Sequence, residues 1–169
     1  MKILNTIKSA LPAAILGCLA LGLTSTSAFA VTTVTTTFGV TATVQATCLV
    51  SATAMGFGTY TGVAIPTTST VSVTCTNTTP YNVGLSAGLA TGATVSARKM
   101  TGPAGALLSY ALYSDSGRTT NWGNTVGTDT VTGTGNGSAQ PLIVYGQLAA
   151  SQYLAPGLYS DTITATVTW

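Results

Sequence analysis

Histidine and glutamate are missing from this chain altogether, and its only side-chain carboxylates are Asp115, Asp129 and Asp161. Without histidine, neither a Ser–His–Asp nor a Cys–His nucleophilic system can be built. A glycosidase pair needs two acids about 5–10 Å apart, and nothing in the sequence brings these three together. Asp161 stands at the start of the last strand-like segment, while Asp115 and Asp129 sit in turn-like segments, where they read as hydrogen-bonding and solvating residues. No catalytic residue, cofactor or metal is therefore expected. The glycine cluster Gly133-Thr134-Gly135-Asn136-Gly137 has no Lys-Ser/Thr after it and no helix, so it is not a phosphate loop. It reads as a mobile loop tip.

Charge is scarce, and two of the five cations lie at the extreme N-terminus. Lys2 and Lys8 precede the apolar run Ala10 to Leu23, and Ala28-Phe29-Ala30 supplies a small-x-small cleavage pattern. Residues 1–30 read as a signal peptide. The run is shorter than the ~20 residues a membrane span needs. Ile15-Leu16-Gly17-Cys18 offers a competing lipoprotein box, in which Leu16 is a poor match and the apolar run continues past the cysteine. Removal of residues 1–30 leaves a one-domain length with Arg98, Lys99 and Arg118 balanced by the three aspartates. A neutral chain carries neither a nucleic-acid footprint nor a polybasic membrane patch, so no nucleic acid is expected as partner.

Cysteine is limited to Cys18 in the leader and to Cys48 and Cys75. An even count in an exported chain reads as one disulfide. In the chain-entropy model that loop contributes roughly 3–4 kcal/mol. Without histidine or a close cysteine pair, a metal site is a poor alternative.

What the chain does have is β-branched alternation. In Val31 to Val44, the row Val34, Thr36, Phe38, Val40, Ala42, Val44 alternates with Thr35, Thr37, Gly39, Thr41, Thr43, the pattern of a strand with one buried face. It can join its own sheet or a neighbour's. Met55 to Tyr60 reads as a glycine-interrupted strand or bulge. Ser69 to Thr76 alternates, Asn77-Thr78-Thr79-Pro80 is a turn, and Tyr81, Val83 and Leu85 form the next inward row, which together predict a hairpin. Leu89 to Gly105, with Arg98-Lys99, reads as irregular. Ala106 to Ser114 has Leu108, Tyr110 and Leu112 on one face, and Leu142 to Leu148 resumes strand character. Leu158 to Trp169 presents Ile163, Ala165, Val167 and Trp169 inward. Tyr60, Tyr81, Tyr110, Tyr145 and Tyr159 fall in or beside strands and read as core or strand-pair residues. No mature segment sustains a helical apolar period, so the fold class is all-β, a sandwich.

Taken in order, Ser72-Val73-Thr74-Cys75-Thr76, Pro80-Tyr81, Arg98-Lys99-Met100, Leu107 to Asp115, Arg118, Trp122-Gly123, Val144 to Leu148 and Pro156 to Trp169 resemble the spore-coat-U family. That family includes the pilins of archaic chaperone–usher systems, the sigma fimbriae. The resemblance covers essentially all of residues 31–169, and its most specific parts are the Cys48/Cys75 pair, Leu-Tyr-Ser-Asp and the terminal Gly-x-Tyr-x-Asp strand. It implies an incomplete immunoglobulin-like β-sandwich (residues 45–169) completed by a donor strand (residues 31–44: Val34, Phe38, Val40, Ala42, Val44). Ile163, Ala165, Val167 and Trp169 would then edge the acceptor groove. The implied partners are a periplasmic chaperone, an outer-membrane usher and neighbouring pilin subunits, with passage through the periplasm to a cell-surface fimbrium that supports adhesion and biofilm formation. The donor stretch departs from the family in being Thr-rich, with Ala42 where a larger residue would bury more area. A spore or cell coat protein and a secreted lectin-like adhesin of the same fold are the alternatives.

Overall fold

The computed structural model describes residues 29–169. All but the last two residues of the expected signal peptide, together with the lipoprotein box at Cys18, lie outside that range. The chain divides into two units, Met1–Thr41 and Ala42–Trp169. In the first, residues 29–41 carry no strand, and Val34, Phe38 and Val40 are exposed. Alternation decides which residues share a face, but a strand forms only where a partner edge takes up its backbone hydrogen bonds.

The second unit folds into β1 (Cys48–Ala52), β2 (Ile65–Cys75), β3 (Pro80–Leu85), β4 (Arg98–Thr101), β5 (Leu107–Tyr113), β6 (Val131–Thr134), β7 (Gln140–Leu148) and β8 (Ala165–Thr168). A five-stranded sheet runs β1-β2-β7-β5-β4 and a three-stranded sheet β6-β3-β8, with every ladder antiparallel. The inward rows Val71/Val73/Cys75, Tyr81/Val83/Leu85, Leu108/Tyr110/Leu112 and Val144/Leu148 meet around Trp122 to form the core. Burying each large apolar side chain contributes about 1.5–3 kcal/mol. Cys48 lies opposite Cys75 in the β1–β2 register and is disulfide-bonded to it.

The predicted hairpin is not made. Residues 77–80 do turn the chain, with Thr78 at φ 65°. The turn passes from one sheet to the other, because β1 and β7 already occupy both edges of β2. The glycine cluster expected at a loop tip forms this corner instead. Gly133 belongs to β6, and buried Gly135 exchanges backbone hydrogen bonds with Thr78 and Thr79 at 2.9 and 2.8 Å. A Cβ on Gly135 would stand 2.4 Å from the Thr76 carbonyl oxygen, so the close approach requires glycine.

Two further segments depart from expectation. The stretch read as irregular contains β4, and its Arg98 is fully buried. The guanidinium donates to the carbonyls of Ser86 (2.8 Å), Leu85 (2.9 Å), Trp122 (2.7 Å) and Val95. The Trp122 indole N–H donates to the Val83 carbonyl at 2.8 Å, so both large side chains are satisfied by the backbone around them. Only Ala165–Thr168 of the expected last strand is ladder-paired. Ser160 forms a separate bridge with Thr101 at the end of β4.

Candidate strand-acceptor groove

β8 is paired on one side, with Asn82↔Thr168 through Leu85↔Ala165 placing it beside β3. Its other edge has no partner among the described residues. On that open side two chain segments form opposing walls. At one end the Trp169 indole N–H donates to the Ala46 carbonyl at 3.3 Å. At the other, the Ser151 N–H donates to the Gly62 carbonyl at 2.8 Å. Between these ties, residues 46–62 descend one wall while residues 151–169 ascend the other, so the walls run in opposite directions.

Two cavities occupy the space between the walls. The first, about 320 Å³, lies between Ala52–Phe57 and Asp161–Ala165, over a floor of Val71, Leu112 and Val144. The second, about 570 Å³, lies between Gly58–Gly62 and Gln152–Tyr159, over Met100, Leu108 and Leu148. Met55 and Phe57 turn inward onto Gly146, where a Cβ would stand 2.4 Å from the Met55 sulfur. The expected strand at Met55–Tyr60 is therefore a wall held by side-chain packing, with no ladder of its own. Phe57 and Tyr110 meet edge to face with ring centroids 6.0 Å apart.

One acid lines the first cavity. Asp161 accepts from the Leu89 and Thr162 N–H groups, each at 2.8 Å, and from the Tyr110 hydroxyl at 2.7 Å. Burial first, and the hydrogen bond to Asp161 second, push the Tyr110 phenol well above the ordinary tyrosine range. It stays neutral and acts as a hydrogen-bond donor. No group of three or more metal-ligating side chains occurs among the described residues.

Of the residues singled out from sequence, Ile163 and Ala165 line the first cavity, and Val167 lies half-buried on the same face. Trp169 is exposed, its indole tying the two walls together. Ala42 and Val44 are exposed and carry no strand. Sequence reasoning missed the opposite wall, residues 52–62, and the segment 152–159. The signal in the first was the alternation of Met55 and Phe57, too interrupted by glycine to pair.

A sandwich open along one edge defines the class: an all-β, immunoglobulin-like fold similar to that of chaperone–usher pilin subunits. A TM-score of 0.57 links it to a chain of the CsuC–CsuE chaperone–tip adhesion subunit pre-assembly complex from the archaic chaperone–usher Csu pili of Acinetobacter baumannii, at 24% identity. That match covers 75% of this chain and 40% of the other, so this chain spans well under half of that length. Residues 34–166 match the Spore Coat Protein U domain. Protein U of Myxococcus xanthus is 37% identical over 128 residues, 68% of this chain and 71% of the relative. The chain belongs to the Spore Coat Protein U domain family, a family of structural proteins rather than enzymes.

Proposed function

We propose that this chain is a structural pilus subunit that polymerises by donor-strand exchange, residues 31–44 of one copy lying in the groove of the next. The observation that carries this reading is the coexistence of an apolar groove beside the unpaired edge of β8 with an unpaired, alternating segment in the same chain. Each supplies what the other lacks: the edge offers backbone groups, and the segment offers the row Val34, Phe38, Val40, Ala42 and Val44. Burial of Phe38, Val40 and Val44, with a smaller share from Ala42, contributes roughly 5–9 kcal/mol gross. Until exchange, a periplasmic chaperone covers the groove, and an outer-membrane usher hands the subunit to a cell-surface fibre serving adhesion and biofilm formation.

Connectivity favours a second copy over self-insertion. Ala46 is tied to Trp169 at one end of the groove. A segment folding back from there would have to reverse at Gln45-Ala46 and run parallel to β8. Every ladder among the described residues is antiparallel, and parallel pairing is slightly weaker per residue. A strand from another copy is free to run antiparallel to β8.

Deletion of Val31 to Thr41 is the test. The expected outcome is a chaperone-bound monomer of undiminished yield, no polymers on unboiled gels, and a melting temperature that rises when a peptide of residues 31–44 is added. A deleted protein that neither binds chaperone nor folds would assign the segment to its own sheet and overturn the exchange. A second reading, a coat subunit using the same fold, is favoured by the 37% identity to Protein U. Chaperone dependence of assembly separates the two.

A further inference from the structure

We infer that the two ends of the groove form complementary faces of a second contact between successive copies, seating the Leu49/Trp169 end of one on the Tyr153/Leu158 end of the next. This inference rests on the donor-strand reading above. Both ends expose large apolar side chains: Tyr153 is 87% and Leu158 85% accessible at one, Leu49 74% and Trp169 56% at the other. Residues 149–160, 42–54 and 162–169 contain no charged side chain, so no like-charge repulsion opposes the contact. Exposed apolar groups at both ends, in segments free of charged side chains, suit a head-to-tail interface.

Chain length dictates the meeting. A strand running antiparallel to β8 enters the acceptor at its Ala46/Trp169 end and leaves at its Gly62/Tyr153 end. The last inward residue of the donor row is Val44, and Ala46 is already fixed to the donor's own Trp169. Two residues of extended chain span about 7 Å. The donor's Ala46–Leu49 segment and Trp169 therefore arrive within side-chain reach of the acceptor's Tyr153, whose ring stands 3.4 Å from the Cβ position of Gly62 at the groove mouth. The occupant of the Tyr153/Leu158 face is thus a second copy of this chain. The contact leaves the short Gln45 linker little room to swing, and the fibre is stiff at each joint.

A photo-cross-linker reads this directly. In full-length chain carrying Tyr153→p-benzoylphenylalanine, irradiated polymers are expected to yield adducts that map to residues 46–49 or to Trp169 of a second copy. In the same chain, Leu49→Asp should lower the adduct formed per polymer several-fold, because a carboxylate then replaces the apolar side chain that meets Tyr153. Polymers that give no adduct, an adduct to residues 153–158 of another copy, or one to a different protein would overturn the interface and leave the exchange standing. If the chain without substitutions forms no polymer, the exchange itself fails and the interface falls with it.

Discussion

Along its β4 margin the sandwich is closed by side chains, whereas along its β8 margin it is left open. At β4, one buried arginine donates to the backbone carbonyls of Leu85, Ser86, Val95 and Trp122, and the Trp122 indole donates to a fifth, that of Val83. At β8 the backbone edge has no partner among the described residues, and the flanking Ile163, Ala165 and Val167 are only half-buried. The contrast teaches that an open edge is not a shortage of material. The chain commits an expensive buried cation to sealing one margin, since burial pulls the Arg98 pKa below its ordinary value despite the opposing pull of Tyr110, Asp129 and Asp161. It seals the other only at its two ends.

If that contrast is right, the largest effect should come from the sealed margin. Arg98→Met keeps most of the volume but leaves buried carbonyls unsatisfied, at about 1–3 kcal/mol each. With four carbonyls released, we expect a stability loss of at least ~4 kcal/mol in urea unfolding, with the folded fraction still binding a peptide of residues 31–44. An unchanged midpoint would mean that water replaces the guanidinium and the margin is not sealed by it.

Next in size is the disulfide. Cys48 and Cys75 are separated by 27 residues in sequence. The double variant Cys48→Ala/Cys75→Ala should lose about 3.5 kcal/mol in the chain-entropy model. Mass spectrometry of the native exported protein should find no free thiol, and two alkylatable thiols would remove the bridge from the account.

The smallest expected change in stability is at the open margin. In Gly146→Ala the new methyl meets the Met55 sulfur and stands 3.2 Å from the Phe57 ring. Because the methionine can move, the stability loss should be only about 1 kcal/mol. The displaced wall narrows the groove, so affinity for the 31–44 peptide should fall by about tenfold, equivalent to ~1.4 kcal/mol. Calorimetric titration that finds undiminished affinity would show that this wall does not shape the groove.

The legibility of the molecule in its sequence divides along the same line. Face assignments were legible: Tyr81/Val83/Leu85 and Leu108/Tyr110/Leu112 are buried as their period-2 rows require. Partner assignments were not, because alternation says nothing about which edge a strand meets. That is why Ser69–Thr76 and Tyr81–Leu85 read as a hairpin although they belong to different sheets. Arg98 was hidden because its partners are carbonyl oxygens, which every residue carries and no motif announces. The terminal row Ile163/Ala165/Val167 could be found by periodicity. The facing wall could not, because Met55 and Phe57 are held by packing on Gly146, a contact made across 91 and 89 residues of chain.

The place of the Cys48–Cys75 bond has a mechanical consequence. Tension applied to the segment before residue 47 loads the Gln45–Thr76, Ala46–Trp169 and Thr47–Thr76 hydrogen bonds and then that covalent link. From there the pull passes into β2, which is flanked on both sides by other strands. β1 therefore cannot be peeled from the sheet one hydrogen bond at a time. The whole ladder must shear at once, and a chain of such units under traction would yield at the joints between them before any domain unravelled.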